Sequence, residues 1–137
     1  MEILERLLNK HGVERQPQSL AHIIELIPFP IPGDYKFFLE NYEPFEGTIG
    51  SQYVQFWKAH ELLENNQGYG ITEYLHDVFG IGSNGASEFI GIEFLSDGTY
   101  RIILSDLISM EREYFIEIRT SFLDMVVRLD NGRKWFE

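Results

Sequence analysis

Three glycines, Gly80, Gly82 and Gly85, spell G-x-G-x-x-G inside the stretch 79–94, Phe-Gly-Ile-Gly-Ser-Asn-Gly-Ala-Ser-Glu-Phe-Ile-Gly-Ile-Glu-Phe. This pattern is the most chemically suggestive in the chain. In a dinucleotide-binding site such glycines follow a strand and open a helix, whose N-terminal N–H groups hold the pyrophosphate. The residues after Gly85 do not have helical periodicity. They alternate, with Phe89, Gly91, Glu93 and Leu95 on one side and Ile90, Ile92 and Phe94 on the other, as in a strand with one well-buried face. No further β-α-β unit follows. The motif therefore reads as a turn in which Gly82 and Gly85 supply positive φ and Asn84 tolerates it.

Other chemistries find little support. The histidines are His11, His22, His60 and His76, and no two have the i, i+4 spacing of a helical zinc site. His60-Glu61 begins like a metalloprotease helix, but Glu64 stands where the second histidine belongs. Ser83 lacks the G-x-S-x-G elbow of a hydrolase. Carboxylate pairs are plentiful, yet sequence does not fix the separation across a cleft that glycoside hydrolysis requires. Tyr53, Phe56 and Trp57 resemble a stacking platform but have few cations nearby, which disfavours single-stranded nucleic acid. The expectation is a protein with no catalytic residues, no metal and no cofactor.

The elements that would position these residues can be read from periodicity. Ile3, Leu4, Leu7 and Leu8 recur at helical spacing, and this first helix ends near Gly12. Ser19 is placed to cap a second helix carrying Leu20, Ile23, Ile24 and Ile27. Pro28, Pro30 and Pro32 then make a rigid connector, and Pro32 can start a third helix with a stripe of Tyr35, Phe38, Leu39 and Tyr42. Residues 45–50 read as a turn into a strand at 53–57, 59–66 as a helix, and 72–76 as a short helical turn. A strand at 78–81 leads into the glycine motif. Ser96-Asp97-Gly98-Thr99 is a hairpin signal between the 89–95 strand and a return strand at 100–104. Residues 114–118 suit one more strand. Ser121 and Asp124 begin a final helix bearing Phe122, Met125, Val126 and Leu129, which ends at Asn131-Gly132. Helices, then a strand meander, then a helix predict a single α+β domain over 1–137, with a mainly antiparallel sheet covered on one face.

The chain has 137 residues, no cysteine, and 22 Asp and Glu against 11 Lys and Arg, a net charge of −11. Disulfides and thiolate metal sites are thereby excluded. The acidity opposes nucleic acid and anionic membranes and favours a basic partner. It is concentrated between residues 37 and 100, which hold Glu40, Glu43, Glu46, Glu61, Glu64, Glu73, Asp77, Glu88, Glu93 and Asp97 against Lys58 as the only Lys or Arg. The N-terminus has acidic residues and no long apolar run, so no signal peptide or membrane span is expected, and the expected location is the cytoplasm.

Ile31-Pro32-Gly33-Asp34-Tyr35-Lys36-Phe37-Phe38-Leu39-Glu40-Asn41-Tyr42 resembles the leucine-proline-x-x-tyrosine-x-x-phenylalanine-leucine helix of the SUKH superfamily, the Smi/Knr-type domains. Ile81-Gly82-Ser83-Asn84-Gly85, followed by Glu88 and a strand, is similar to that family's second signature, and the Asp-Gly hairpin and Ser-Phe-Leu helix also fit. The resemblance runs from about residue 18 to residue 132. Ile31 replaces the usual leucine, Glu-Pro-Phe-Glu-Gly follows Tyr42 where Asn-Gly-Gly is frequent, and Ala86-Ser87 stands where Gly-Gly is common.

The resemblance implies a binding module whose signatures are structural, with no catalytic residues to carry over. Many bacterial members look like immunity proteins that neutralise a secreted polymorphic toxin, often a nuclease, and others are intracellular scaffolds or regulators. The leading expectation is thus an immunity protein with a cognate basic toxin domain as partner, no nucleic acid and no membrane. The alternatives are a scaffold or regulatory domain of the same fold and, behind it, a small hydrolase using paired acids. Glu43, Glu46, Glu61, Glu64, Glu73 and Asp77 are the expected charge contacts, and Trp57 and Tyr69 the apolar anchors.

Overall fold

The computed structural model describes residues 2–136. Six α-helices and six strands follow one another as α1 (Glu2–His11), α2 (Ala21–Ile24), α3 (Gly33–Asn41), β1 (Glu46–Ile49), β2 (Gln52–Phe56), α4 (Leu62–Gly68), α5 (Ile71–Tyr74), β3 (Val78–Ser83), β4 (Glu88–Phe94), β5 (Tyr100–Asp106), β6 (Ile116–Arg119) and α6 (Phe122–Asp130). Short 3-10 turns at Ala59–Glu61 and Arg112–Tyr114 precede α4 and β6. The strands form one antiparallel sheet in sequence order, β1 to β6, so the fold is α+β with helices before the meander and a helix after it.

Local signals account for most of these elements. The Pro32 carbonyl accepts from Lys36 N at 2.9 Å and opens α3, whose Tyr35, Phe38 and Leu39, with Tyr42 after it, are buried as expected. At the 96–99 hairpin, Asp97 Oδ1 accepts from the Thr99 N–H at 2.9 Å, and Gly98 takes φ 88°. Ser121 Oγ accepts from Asp124 N at 3.0 Å at the start of α6, a cap that contributes about 1 kcal/mol. Other details differ. Ile3 is half exposed, so the buried stripe of α1 is Leu4, Leu7 and Leu8. Within the 45–50 stretch, Glu46–Ile49 form an edge strand, β1, paired with β2 from Glu46↔Gln55 to Ile49↔Gln52. The second helix is a single turn, with Leu20 as its N-cap.

The sheet is buried more deeply than expected. One face carries Val54, Phe56, Phe79, Ile90, Ile92, Ile102 and Leu104, and it lies under α3 and α6. Phe38, Phe56 and Phe122 meet there with ring centroids 5.2–5.5 Å apart. Phe29, from the proline-rich connector, stacks on Phe94 at 4.6 Å. The opposite face carries Phe89, Gly91 and Glu93 of β4 and is also buried. Helices α4 and α5 cover part of it, and the segment between β5 and β6 reaches over another part through Arg112. The expectation of a sheet covered on one face therefore fails at its centre, because the chain after β2 folds back over β3 and the chain after β5 over β4.

This second cover changes the reading of the glycine motif. Gly80 and Gly82 lie within β3, where the register with β4 shifts between them, and only Gly85 of the three has positive φ, at 80°. Gly82 is needed for close approach: a Cβ there would stand 2.4 Å from the Gln55 carbonyl oxygen. At Gly80 it would stand 2.8 Å from Ile71 and 2.9 Å from Trp57, the residues that cover this strand. Gly82 does not supply the left-handed turn; it lets β2 and β3 come together.

Candidate binding groove

The uncovered corner of the second sheet face is floored by Gln55, Ser83 and Gly85 and walled by α4. Trp57 in the chain leading to α4 is 5% exposed, and the Tyr69 ring lies over it with centroids 5.7 Å apart and an interplanar angle of 19°. Glu61, Asn65 and Tyr69 form the near wall and Leu107 the far one, around a groove of about 380 Å³. A second concavity of about 360 Å³ adjoins it, shares Tyr69 and Leu107, and adds Tyr74, Ile108 and Glu111. Tyr69, Tyr74 and Ile108 are 49%, 68% and 88% exposed, an apolar group of the kind that marks an interaction surface. No Lys or Arg lines either concavity.

The floor and wall follow from strand alternation and a buried amide. In β2, Val54 and Phe56 point to the core while Tyr53, Gln55 and then Trp57 point to the groove side. Asn66 is 2% exposed, and its side chain bonds both the N–H and the C=O of Gly80, at 2.6 and 2.9 Å, so α4 is stitched to β3. That fixes Asn65 and Tyr69 on the outer side of the helix.

The expected site residues do not form one face. Trp57, Glu61 and Tyr69 share the groove, although Trp57 is a buried support beneath Tyr69 rather than an exposed anchor. The Glu61 carboxylate accepts from Lys58 N at 3.1 Å, closing the 3-10 turn, and remains half-exposed. Glu64 is exposed one turn further along α4, and Glu73 is exposed on α5. Glu46 lies on the edge strand and accepts from the Tyr53 hydroxyl at 2.5 Å, which raises the phenol's pKa. Asp77 is bound to Arg112 at 2.6 Å, so it is an internal partner. Glu43 lies across from Arg15, 3.9 Å away, and lines a different concavity.

Arg112 also donates through Nη1 to Glu93, which is 1% exposed and accepts from Arg101 Nε at 2.6 Å. The carboxylates beside Arg112, Asp77 first, hold its guanidinium above the usual arginine range. Glu93 is one of the ten acids of the 37–100 stretch, but it is a buried ion-pair centre holding down the 107–115 segment. Its alternation with apolar Ile92 and Phe94 gave no sign of burial, since the covering segment is remote in sequence. Tyr74, Leu107 and Ile108 were also missed, being scattered over elements that meet only in the fold. Gln55, polar between apolar Val54 and Phe56, carries the signal of strand alternation but was not among the expected site residues.

Ser83 Oγ contacts Gln55 Oε1 at 3.5 Å, and no histidine lines the groove. Among the described residues no group of three or more His, Asp and Glu is placed to hold a metal ion, and no helix is long and apolar enough to cross a membrane. The chain matches no protein-family model and no curated protein.

Proposed function

We propose that this chain is a non-catalytic, SUKH-like immunity protein of the cytoplasm that binds and neutralises a basic toxin domain, with a nuclease as the favoured partner. The observation that carries this reading is the half-exposed Tyr69, seated on buried Trp57 in a groove that has Glu61 on its wall and no Lys or Arg. A rigid aromatic with acids beside it is suited to a cationic protein surface. The ring supplies desolvated contact area, and the charges speed encounter and set specificity. Glu64 and Glu73, exposed on the neighbouring helices, extend the negative field beyond the groove. The groove lining has no nucleophile paired with an imidazole, so it suits recognition better than turnover.

The test is calorimetric binding to a panel of basic bacterial nuclease toxin domains, taken from about 50 to 200 mM salt. A cognate domain binds more weakly as salt rises, and both E64K, which changes only an exposed side chain, and the double reversal E61K/E64K weaken binding further. Failure of every toxin domain to bind at the lowest salt overturns the toxin assignment. Tight binding that is indifferent to E61K/E64K overturns this groove as the docking face. A toxin gene directly upstream would support immunity; a housekeeping neighbour would favour a scaffold role.

A further inference from the structure

Cations are scarce in this chain, and one concavity gathers them. Lys58, the only Lys or Arg between residues 37 and 100, does not face the acidic groove. It lines a separate hollow of about 410 Å³ with Arg15, His22 and His60, against Leu20 and Ile23. Glu43 is the only carboxylate there. Of the five concavities described, this alone has more Lys and Arg than Asp and Glu in its lining. Three distant segments build it: the chain around α2, the loop after α3, and the 3-10 turn before α4.

The arginine is held in place and incompletely satisfied. Arg15 N donates to Asn41 O at 3.0 Å and its Nη2 donates to the Leu39 carbonyl, which ties the residue to the end of α3. Its Nε is buried and has no acceptor among the described residues, and its Nη1 stands 3.9 Å from Glu43, beyond hydrogen-bond reach. Glu43 is 55% exposed, so this long ion pair is open to solvent. No carboxylate pairs with His22, Lys58 or His60 among the described residues. A fixed guanidinium, a flexible ammonium and two imidazoles converging on one hollow form a donor set with an excess of N–H groups. Arginine supplies the planar fork and lysine the point charge that phosphate oxygens accept.

We propose that this hollow binds a phosphate group, carried either by a small free phosphate or by a phosphorylated peptide. The proposal is independent of the toxin-binding reading: the two sites flank the same 3-10 turn, with His60 lining one and Glu61 the other.

The experiment titrates inorganic phosphate and, separately, a short phosphoserine peptide and its unphosphorylated form into the full-length protein at fixed ionic strength. Amide chemical shifts are followed by NMR. The expected result is saturable shifts at Arg15, Gln18, His22, Lys58 and His60, with a Kd of about 1 mM or tighter. K58Q/H60Q weakens binding at least about tenfold, with the remaining spectrum unchanged. K58Q alone changes only an exposed side chain and keeps the test open if the double variant perturbs the fold. A phosphopeptide that binds more tightly than inorganic phosphate assigns the site to peptides, and equal affinities assign it to small phosphates. Absence of saturable shifts, shifts centred elsewhere, or full affinity in K58Q/H60Q overturns the proposal.

Discussion

The side-chain amide of Asn66 spans both backbone groups of Gly80, accepting from its N–H at 2.6 Å and donating to its C=O at 2.9 Å. It also donates to Leu62 O at 2.7 Å, so one buried amide joins α4 to the strand at the irregular point where β3 shifts register. The helix that carries the groove wall is attached to the sheet through this residue.

Asn66→Ala leaves two buried backbone groups of Gly80 without a partner and should cost about 3 kcal/mol or more in chemical unfolding. Asn66→Asp keeps the acceptor for the N–H but loses the donor to the carbonyl, and it too is expected to be destabilised. An alanine variant as stable as the wild type would show that water replaces the amide without cost.

Gly82 and Gly98 separate close approach from backbone conformation. Gly82→Ala drives a Cβ to 2.4 Å from a backbone oxygen in the neighbouring strand, and a loss of ~1–3 kcal/mol is expected. Gly98 has φ 88° but nothing within 4 Å of an added Cβ, so Gly98→Ala should cost only the left-handed penalty of roughly 1–2 kcal/mol. Greater damage at Gly98 than at Gly82 would contradict the packing at the junction of β2 and β3.

Trp57 and Tyr69 touch ring to ring yet should respond differently. Trp57→Ala empties a buried site, with an expected loss of about 3–5 kcal/mol of stability. Tyr69→Ala removes a half-exposed ring, leaving stability within about 1 kcal/mol, while lowering affinity for the proposed toxin partner by about 2 kcal/mol, some thirtyfold. Equal stability losses in the two variants would place Tyr69 in the core rather than at the interface.

Asp130 links the end of α6 to α1, accepting from Lys10 Nζ at 2.8 Å and His11 Nε2 at 2.7 Å. The bond from Lys10, then that from His11, holds its carboxyl below the ordinary value of 3.8. A depressed folded-state pKa stabilises the native protein above the unfolded value, and this contribution is lost as pH falls through the folded one. Asp130→Asn should therefore be less stable than wild type in urea near neutral pH. The difference should close on acidification below 3.8. A gap that persists unchanged into strong acid would remove the charge from the explanation.

Several parts of the molecule were set locally and were legible in the sequence. The Tyr35, Phe38, Leu39 and Tyr42 stripe, the Asp97-Gly98 turn, the Ser121 cap and the β4–β5 alternation each depend on neighbours a few positions away, within reach of backbone propensity and side-chain period. The acidic composition motivates the basic partner proposed, a reading that binding measurements must decide. The tertiary structure alone decided how the acids divide. Asp77 and Glu93 meet Arg112 from positions 35 and 19 residues away, while Glu61 is left on the groove wall with Tyr69. It also turned two glycines of an apparent phosphate loop into strand residues pressed against Gln55, Trp57 and Ile71, and gathered Arg15, Lys58 and two histidines into one hollow. Periodicity tells which side of its own element a residue takes. What covers that side, and which opposite charge reaches it, depends on how remote segments pack.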